Sequence, residues 1–224
     1  DVAFTMGRQF QPAVERAAAQ RDGDSITVSL LDALPIDAGT KKVDHDDADA
    51  LDPHVWLDPV LMQDVTRQVR DALVEADPDG RSIYRRNARA LVTELQALDA
   101  RYRAGLASCP RRLVVTSHEA FGYLTRRYGL RQEGVIGLPP DAEPDAKRLA
   151  HLVDLVEDDG VTVVFTETLA SPRIADTLAR EAGVRTEVLN PIEGLTDTEV
   201  DRGATYLTEM DENLTKLGSA LGCT

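Results

Sequence analysis

Two of the chain's four histidines stand in segments whose residue types suit metal chemistry. His54 lies in DPHVWLDP, residues 52–59, between two Asp-Pro pairs and beside the only tryptophan. Pro53 restricts the backbone on one side of it, and Trp56 can anchor the segment by burying its ring. His118 lies in TSHEAFGY, two residues past the apolar run LVVT. Oxygen donors recur at matching places: Glu167 two residues past VTVVF, Asn190 directly after RTEVL, and Glu193 three residues further, in LNPIEGL. Neutral imidazoles with a carboxylate suit Zn²⁺, whereas an all-oxygen set would suit Mg²⁺ or Ca²⁺ better. Each residue alone also reads as a helix cap, a loop hydrogen-bonder or a structural histidine. Their recurrence at corresponding positions is what points to a site.

Two histidines and one carboxylate are also a donor set of catalytic zinc, which keeps a zinc-dependent hydrolase open as an alternative. Other chemistries find no support. The sequence contains no GxGxxG, P-loop, GxSxG or HExxH motif. Ser117, His118 and Glu119 resemble a triad only in letters, because adjacent residues cannot meet in triad geometry. His45, inside the acidic stretch VDHDDADALD at residues 43–52, reads as part of an exposed loop. His151 falls in a helical pattern and reads as a surface residue.

The elements that must position these groups alternate along the chain. Apolar spacing predicts a helix from Pro59 to about Ala76, stopped by DPDG. A longer helix follows, with Tyr84, Ala88, Leu91, Leu95, Leu98, Tyr102 and Leu106 on one stripe over roughly 28 residues, about 42 Å. Strands are expected at RLVVTS (112–117), GVIG (134–137), VTVVF (161–165) and RTEVL (185–189). Helices are expected between them: AFGYLTRRYG closed by Gly129, a stripe of Leu149, Leu152, Val153 and Val156, and SPRIADTLAREAG with Ser171 as cap. A last helix should carry Val200, Ala204, Leu207, Leu214, Leu217 and Leu221. Such alternation predicts an α/β fold with a parallel sheet, in which sites form beyond the carboxyl ends of the strands. Before residue 59 only a strand at VAFTM, a helix around 9–20 and a weak strand at SITVSLL are expected, so the first lobe reads as truncated at its N-terminus. The expected organisation is an N-terminal lobe over 1–78, a linking helix over 79–107 and a C-terminal α/β lobe over 108–224.

The 224 residues suffice for one large domain or two small lobes with real cores. A net charge of −14 argues against nucleic acid or anionic lipid as partner and favours cations. The longest apolar runs are too short to span a bilayer. The two cysteines, Cys109 and Cys223, each follow a long helical pattern. They read either as unrelated thiols or as a disulfide, which their contexts favour and which would imply an oxidising compartment.

DPHVWLDP, TSHEAFGYLTRRYGL, GLPPDAEPDAKRL and VVFTETLASPRIADTLAREAGV together resemble the cluster A-I (cluster 9) solute-binding proteins of zinc and manganese ABC transporters. The resemblance covers nearly the whole chain. It implies two α/β lobes joined by one long rigid helix, with the metal in the cleft between them. By position, His54 and His118 match two ligands of that family. Asn190 stands where an acidic ligand is usual, Glu193 is a second candidate there, and Glu167 matches a residue that supports the site. A further histidine common in the family would precede Asp1. Residues 43–52 look like a reduced form of the histidine-rich loop of zinc-binding members, which favours Zn²⁺ over Mn²⁺. The implied protein is a monomeric, extracytoplasmic carrier, periplasmic or lipid-anchored. It would hand its ion to an ABC transporter permease, with a metallochaperone as a second possible partner. An adhesin-like surface lipoprotein with a structural metal is a further alternative.

Overall fold

The computed structural model describes residues 1–21, 25–36, 52–137, 146–169 and 171–224. The chain divides into two compact units, Asp1–Asp99 and Ala100–Thr224, and the division falls inside its longest helix. His45 and most of the acidic stretch around it lie outside the described residues.

In the first unit, strands β1 (Val2–Thr5) and β2 (Ile26–Ser29) pair in parallel, with helix α1 (Pro12–Ala19) between them in sequence. A 3₁₀ turn at Val55–Leu57 leads into helix α2 (Pro59–Ala76). The second Asp-Pro pair of DPHVWLDP explains this start. Asp58 caps the helix by accepting from the amides of Val60 and Leu61 at 2.9 and 3.4 Å, and Pro59 occupies the first turn, where no amide is needed. Helix α3 runs over Arg81–Gly105. Of its expected stripe, Ala88, Leu95, Leu98 and Tyr102 are buried, whereas Leu91 is exposed.

The second unit holds a four-stranded, all-parallel sheet in the order β4-β3-β5-β6. Its strands are β3 (Leu113–Thr116), β4 (Arg131–Gly134), β5 (Val163–Thr166) and β6 (Arg185–Val188). The helices are α4 (Gly122–Arg127), α5 (Ala146–Asp158), α6 (Arg173–Glu181), α7 (Asp197–Asp201) and α8 (Tyr206–Leu221). The strands β3 and β5 are buried at every position, as the unbroken apolar runs of a two-sided parallel sheet require. Leu113, Val115 and Val164 pack with Leu152 and Val156 of α5 and Ala175 and Leu178 of α6 in one core. Tyr102, in the last turns of α3, belongs to this unit: its hydroxyl donates to the Met210 carbonyl of α8 at 2.7 Å, and its ring stacks on Tyr128. Cys109 and Cys223 form a disulfide.

Three expectations are corrected. The fourth strand is RQEG rather than GVIG. It is an edge strand with one side toward solvent, so its residues are polar. Val135 and Ile136 instead follow it and bond the carbonyls of Thr116 and Ser117 through their amides. The last helix is two helices, because Gly203 takes φ +71° and Thr205 opens a new capping box with Thr208. Val200, expected on a buried stripe, is exposed. Helix α6 starts at Arg173, with Pro172 rather than Ser171 in the cap position and no side-chain cap bond.

Candidate metal site

The strand ends of the second unit carry the chemistry. Strands β3 and β5 are neighbours, and the ladder continues one step beyond them, where the Ser117 amide donates to the Phe165 carbonyl at 2.9 Å. That register sets Ser117 and His118 opposite Glu167. One oxygen of Glu167 takes three hydrogen bonds: from the Ser117 hydroxyl, from the His118 amide at 3.2 Å and from His118 Nδ1 at 2.6 Å. The His118 carbonyl accepts from the Thr116 hydroxyl at 2.6 Å and from the Gln132 amide at 3.1 Å. Both backbone and ring of His118 are therefore fixed, with the residue 1% exposed.

A carboxylate can only accept, so Glu167 holds the proton on Nδ1 and turns Nε2 toward the other side. There it faces Glu193 Oε1 at 3.5 Å. Burial alone would disfavour a charged His118, but the hydrogen bonds and charges of Glu167 and Glu193 outweigh it and raise its pKa from 6.5 to about 9. A cavity of about 340 Å³ opens at this point, lined among others by Ser117, His118, Glu167, Pro191 and Glu193. A liquid-state water occupies about 30 Å³, so the cavity has room for an ion together with further ligands or waters.

Glu193 rides on the loop after β6, residues 190–196. Asn190, at the head of that loop, is 2% exposed. Its NH₂ group donates to Glu199 and to Glu209, at 3.0 Å each, and its carbonyl oxygen accepts from the Ile192 amide at 2.8 Å and the Thr168 hydroxyl at 3.4 Å. Its backbone is clasped by Asn213 of α8 in two further bonds. Ile192 has φ +57°, a left-handed conformation that costs a β-branched residue on the order of 1–3 kcal/mol.

In the first unit His54 is held by the same device. Asp52 Oδ1 accepts from the His54 amide at 2.9 Å and from Nδ1 at 2.8 Å, and the Trp56 ring meets the imidazole edge-on at 5.1 Å. His54 is 4% exposed. Trp56 itself is half-buried. The first Asp-Pro pair thus supplies the partner of the histidine, and the second supplies the cap of the next helix. Ser117, Glu199 and Glu209 carry no such signal in the sequence. The two glutamates read as ordinary helix residues, and only their partners in the fold reveal them. His151 is exposed on α5, as its helical setting suggests.

The family model for the zinc-uptake complex component A, periplasmic (ZnuA), matches residues 1–220. The chain belongs to this family. Among curated relatives, the high-affinity zinc uptake system protein ZnuA of Bacillus subtilis is 42% identical over 172 residues, 77% of this chain and 54% of that protein. The chain thus spans about half the length of that ZnuA, and 33% of the zinc-binding lipoprotein AdcA of Streptococcus pneumoniae, with which it is 43% identical over 74% of its own length. Among solved structures, the Zn(II)-bound ZnuA-like domain of Streptococcus pneumoniae AdcA superposes with a TM-score of 0.74 at 34% identity, covering 98% of this chain and 79% of that one. The laminin-binding protein Lmb of Streptococcus agalactiae, described as an adhesin with metal-transporting activity, gives a TM-score of 0.85 at 27% identity, covering 99% and 80%.

Proposed function

We propose that this ZnuA-family chain captures Zn²⁺ outside the cytoplasm and delivers it to an ABC importer. The observation that carries the reading is the pair His118 Nε2 and Glu193 Oε1, 3.5 Å apart at a cavity, with Nδ1 of the imidazole already committed to Glu167. A nitrogen and a carboxylate oxygen so disposed are ligand atoms for a borderline cation, and a carboxylate behind the imidazole raises its basicity and fixes its orientation.

The proposed ligands are His118, Glu193 and His54. For His54 the support is the DPHVWLDP motif and the bond from Nδ1 to Asp52, which leaves Nε2 as the ligand atom. Asn190, the other oxygen donor the sequence offers, has its amide engaged on both sides, so the proposed set takes Glu193 in its place. Glu167 acts through His118. The proposal includes no chemical step: the protein holds a dehydrated ion, selects it by ligand type and releases it on docking to a permease. Two imidazoles favour Zn²⁺ over Mn²⁺, which prefers oxygen-rich sets.

A competitive chelator titration with Zn²⁺ and Mn²⁺ on metal-stripped protein tests this. Tight zinc binding, weaker manganese binding and collapse of zinc binding in His118→Ala are expected. Weak zinc binding that the substitution leaves unchanged would exclude His118 as a ligand.

A further inference from the structure

We infer that Asn190 is a positioning residue, whose buried amide staples the 190–196 loop so that Glu193 is held toward His118. The inference rests on the proposed role of Glu193 as a ligand. The loop is closed at both ends by one chain of hydrogen bonds. At its head, Asn190 Nδ2 donates to Glu199 Oε1 at 3.0 Å. At its foot, the other oxygen of Glu199 accepts from the Thr196 amide at 2.6 Å and the Thr196 hydroxyl at 2.9 Å. Glu193 lies midway between. The second hydrogen of the Asn190 NH₂ group ties the same staple to Glu209 of α8, and Asn213 of α8 clasps the Asn190 backbone. Within the loop, Asn190 Oδ1 holds the Ile192 amide and so stabilises the left-handed turn directly before Glu193.

The chemistry of the staple requires an amide. Glu199 and Glu209 are 8% and 2% exposed, and both direct an oxygen at the same nitrogen. Arg202 pairs with Glu209, so a cation already balances that side. A carboxylate at position 190 would set a third acceptor against two, with no hydrogen to share, and the three would repel in a desolvated setting. The amide orientation follows from the same argument, since a flipped Asn190 would aim its oxygen at both glutamates and its NH₂ group at the Ile192 amide.

Two readings of residue 190 therefore give opposite signs. If it were a ligand, Asn190→Asp would add charge to the site and tighten zinc binding. As a staple it should loosen the loop. The experiment measures zinc affinity by chelator competition in wild type, Asn190→Asp, Glu193→Gln and the double variant, with cobalt-substituted visible spectra to read coordination geometry and circular dichroism to check folding. Asn190→Asp is expected to weaken zinc binding by about 10–100-fold and to change the cobalt spectrum, as for other residues that act through a ligand. In the Glu193→Gln background it should cost almost nothing further, because it acts through Glu193. Unchanged or tighter binding in Asn190→Asp, or an equal loss in both backgrounds, would overturn the inference. If Glu193→Gln by itself leaves affinity unchanged, the ligand role of Glu193 fails and the inference falls with it, a result distinct from failure of Asn190→Asp alone. Should Asn190→Asp not fold, Glu199→Gln serves instead. It keeps the shape but removes one of the two acceptor oxygens, and a smaller loss confined to the Glu193 background is expected. An equal loss in both backgrounds would again overturn the inference.

Discussion

Each of the two proposed histidine ligands has a single carboxylate oxygen that accepts from both its amide and its ring nitrogen, Glu167 for His118 and Asp52 for His54. Because such partners set ring orientation and basicity, Glu167→Ala and Asp52→Ala should each weaken zinc binding by about 10–100-fold while leaving the histidines in place. Chelator competition reads the loss, and an unaltered affinity would mean the imidazoles are positioned by packing alone. The pH response belongs to His118. Its folded pKa of about 9 lies above the ordinary 6.5. Protonation therefore stabilises the metal-free protein fully below pH 6.5, and that stability is lost as pH rises through about 9. The thermal midpoint of metal-free protein should fall across this window relative to His118→Gln. Zinc affinity of the wild type should rise over the same window, since the ion competes with the proton on Nε2.

Among the elements, α6 shows how sequence pattern becomes support for the site. Leu178 and Ala175 are fully buried against β5, whose end carries Glu167. Leu178→Ala should cost about 2–5 kcal/mol through lost burial and a residual cavity, measured by chemical denaturation. A loss well below 1 kcal/mol would mean the neighbours collapse into the space. Apolar spacing located this helix because both its period and its buried face are local properties of the chain. The edge strand β4 lies ahead of the apolar run GVIG for the opposite reason. Its residues Arg131, Gln132 and Glu133 are polar because one side meets solvent, and hydrophobicity then marks the residues that follow the strand. The break between α7 and α8 was legible in principle, as Gly203 and the Thr205–Thr208 pair are stop and start signals. The apolar residues on either side continue a helical spacing and masked it.

At the scale of the molecule, the Cys109–Cys223 disulfide joins residues 114 apart, nearly spanning the second unit. Closing so long a loop restricts the unfolded chain, and its removal in Cys109→Ser/Cys223→Ser should cost about 2–5 kcal/mol. Denaturation of the variant against wild type measures it, and an effect below about 1 kcal/mol would show that the reduced unfolded chain is already restrained by residual structure. The net charge of −14 acts at the same scale, as a field that favours cations and weakens with added salt.

The sequence by itself determined the parallel α/β order, the stops of helices α2 and α4, and the side-chain types on which the proposed site draws. Those are matters of period, local backbone preference and side-chain chemistry. Only the tertiary structure decided which oxygen faces His118. Asn190 and Glu193 are three residues apart in one loop, and nothing in their types says which is engaged elsewhere. That choice belongs to Glu199, Glu209 and Asn213, helix residues that reach Asn190 only after α7 and α8 pack. Buried amides must find partners, and the partners exist only in the folded chain.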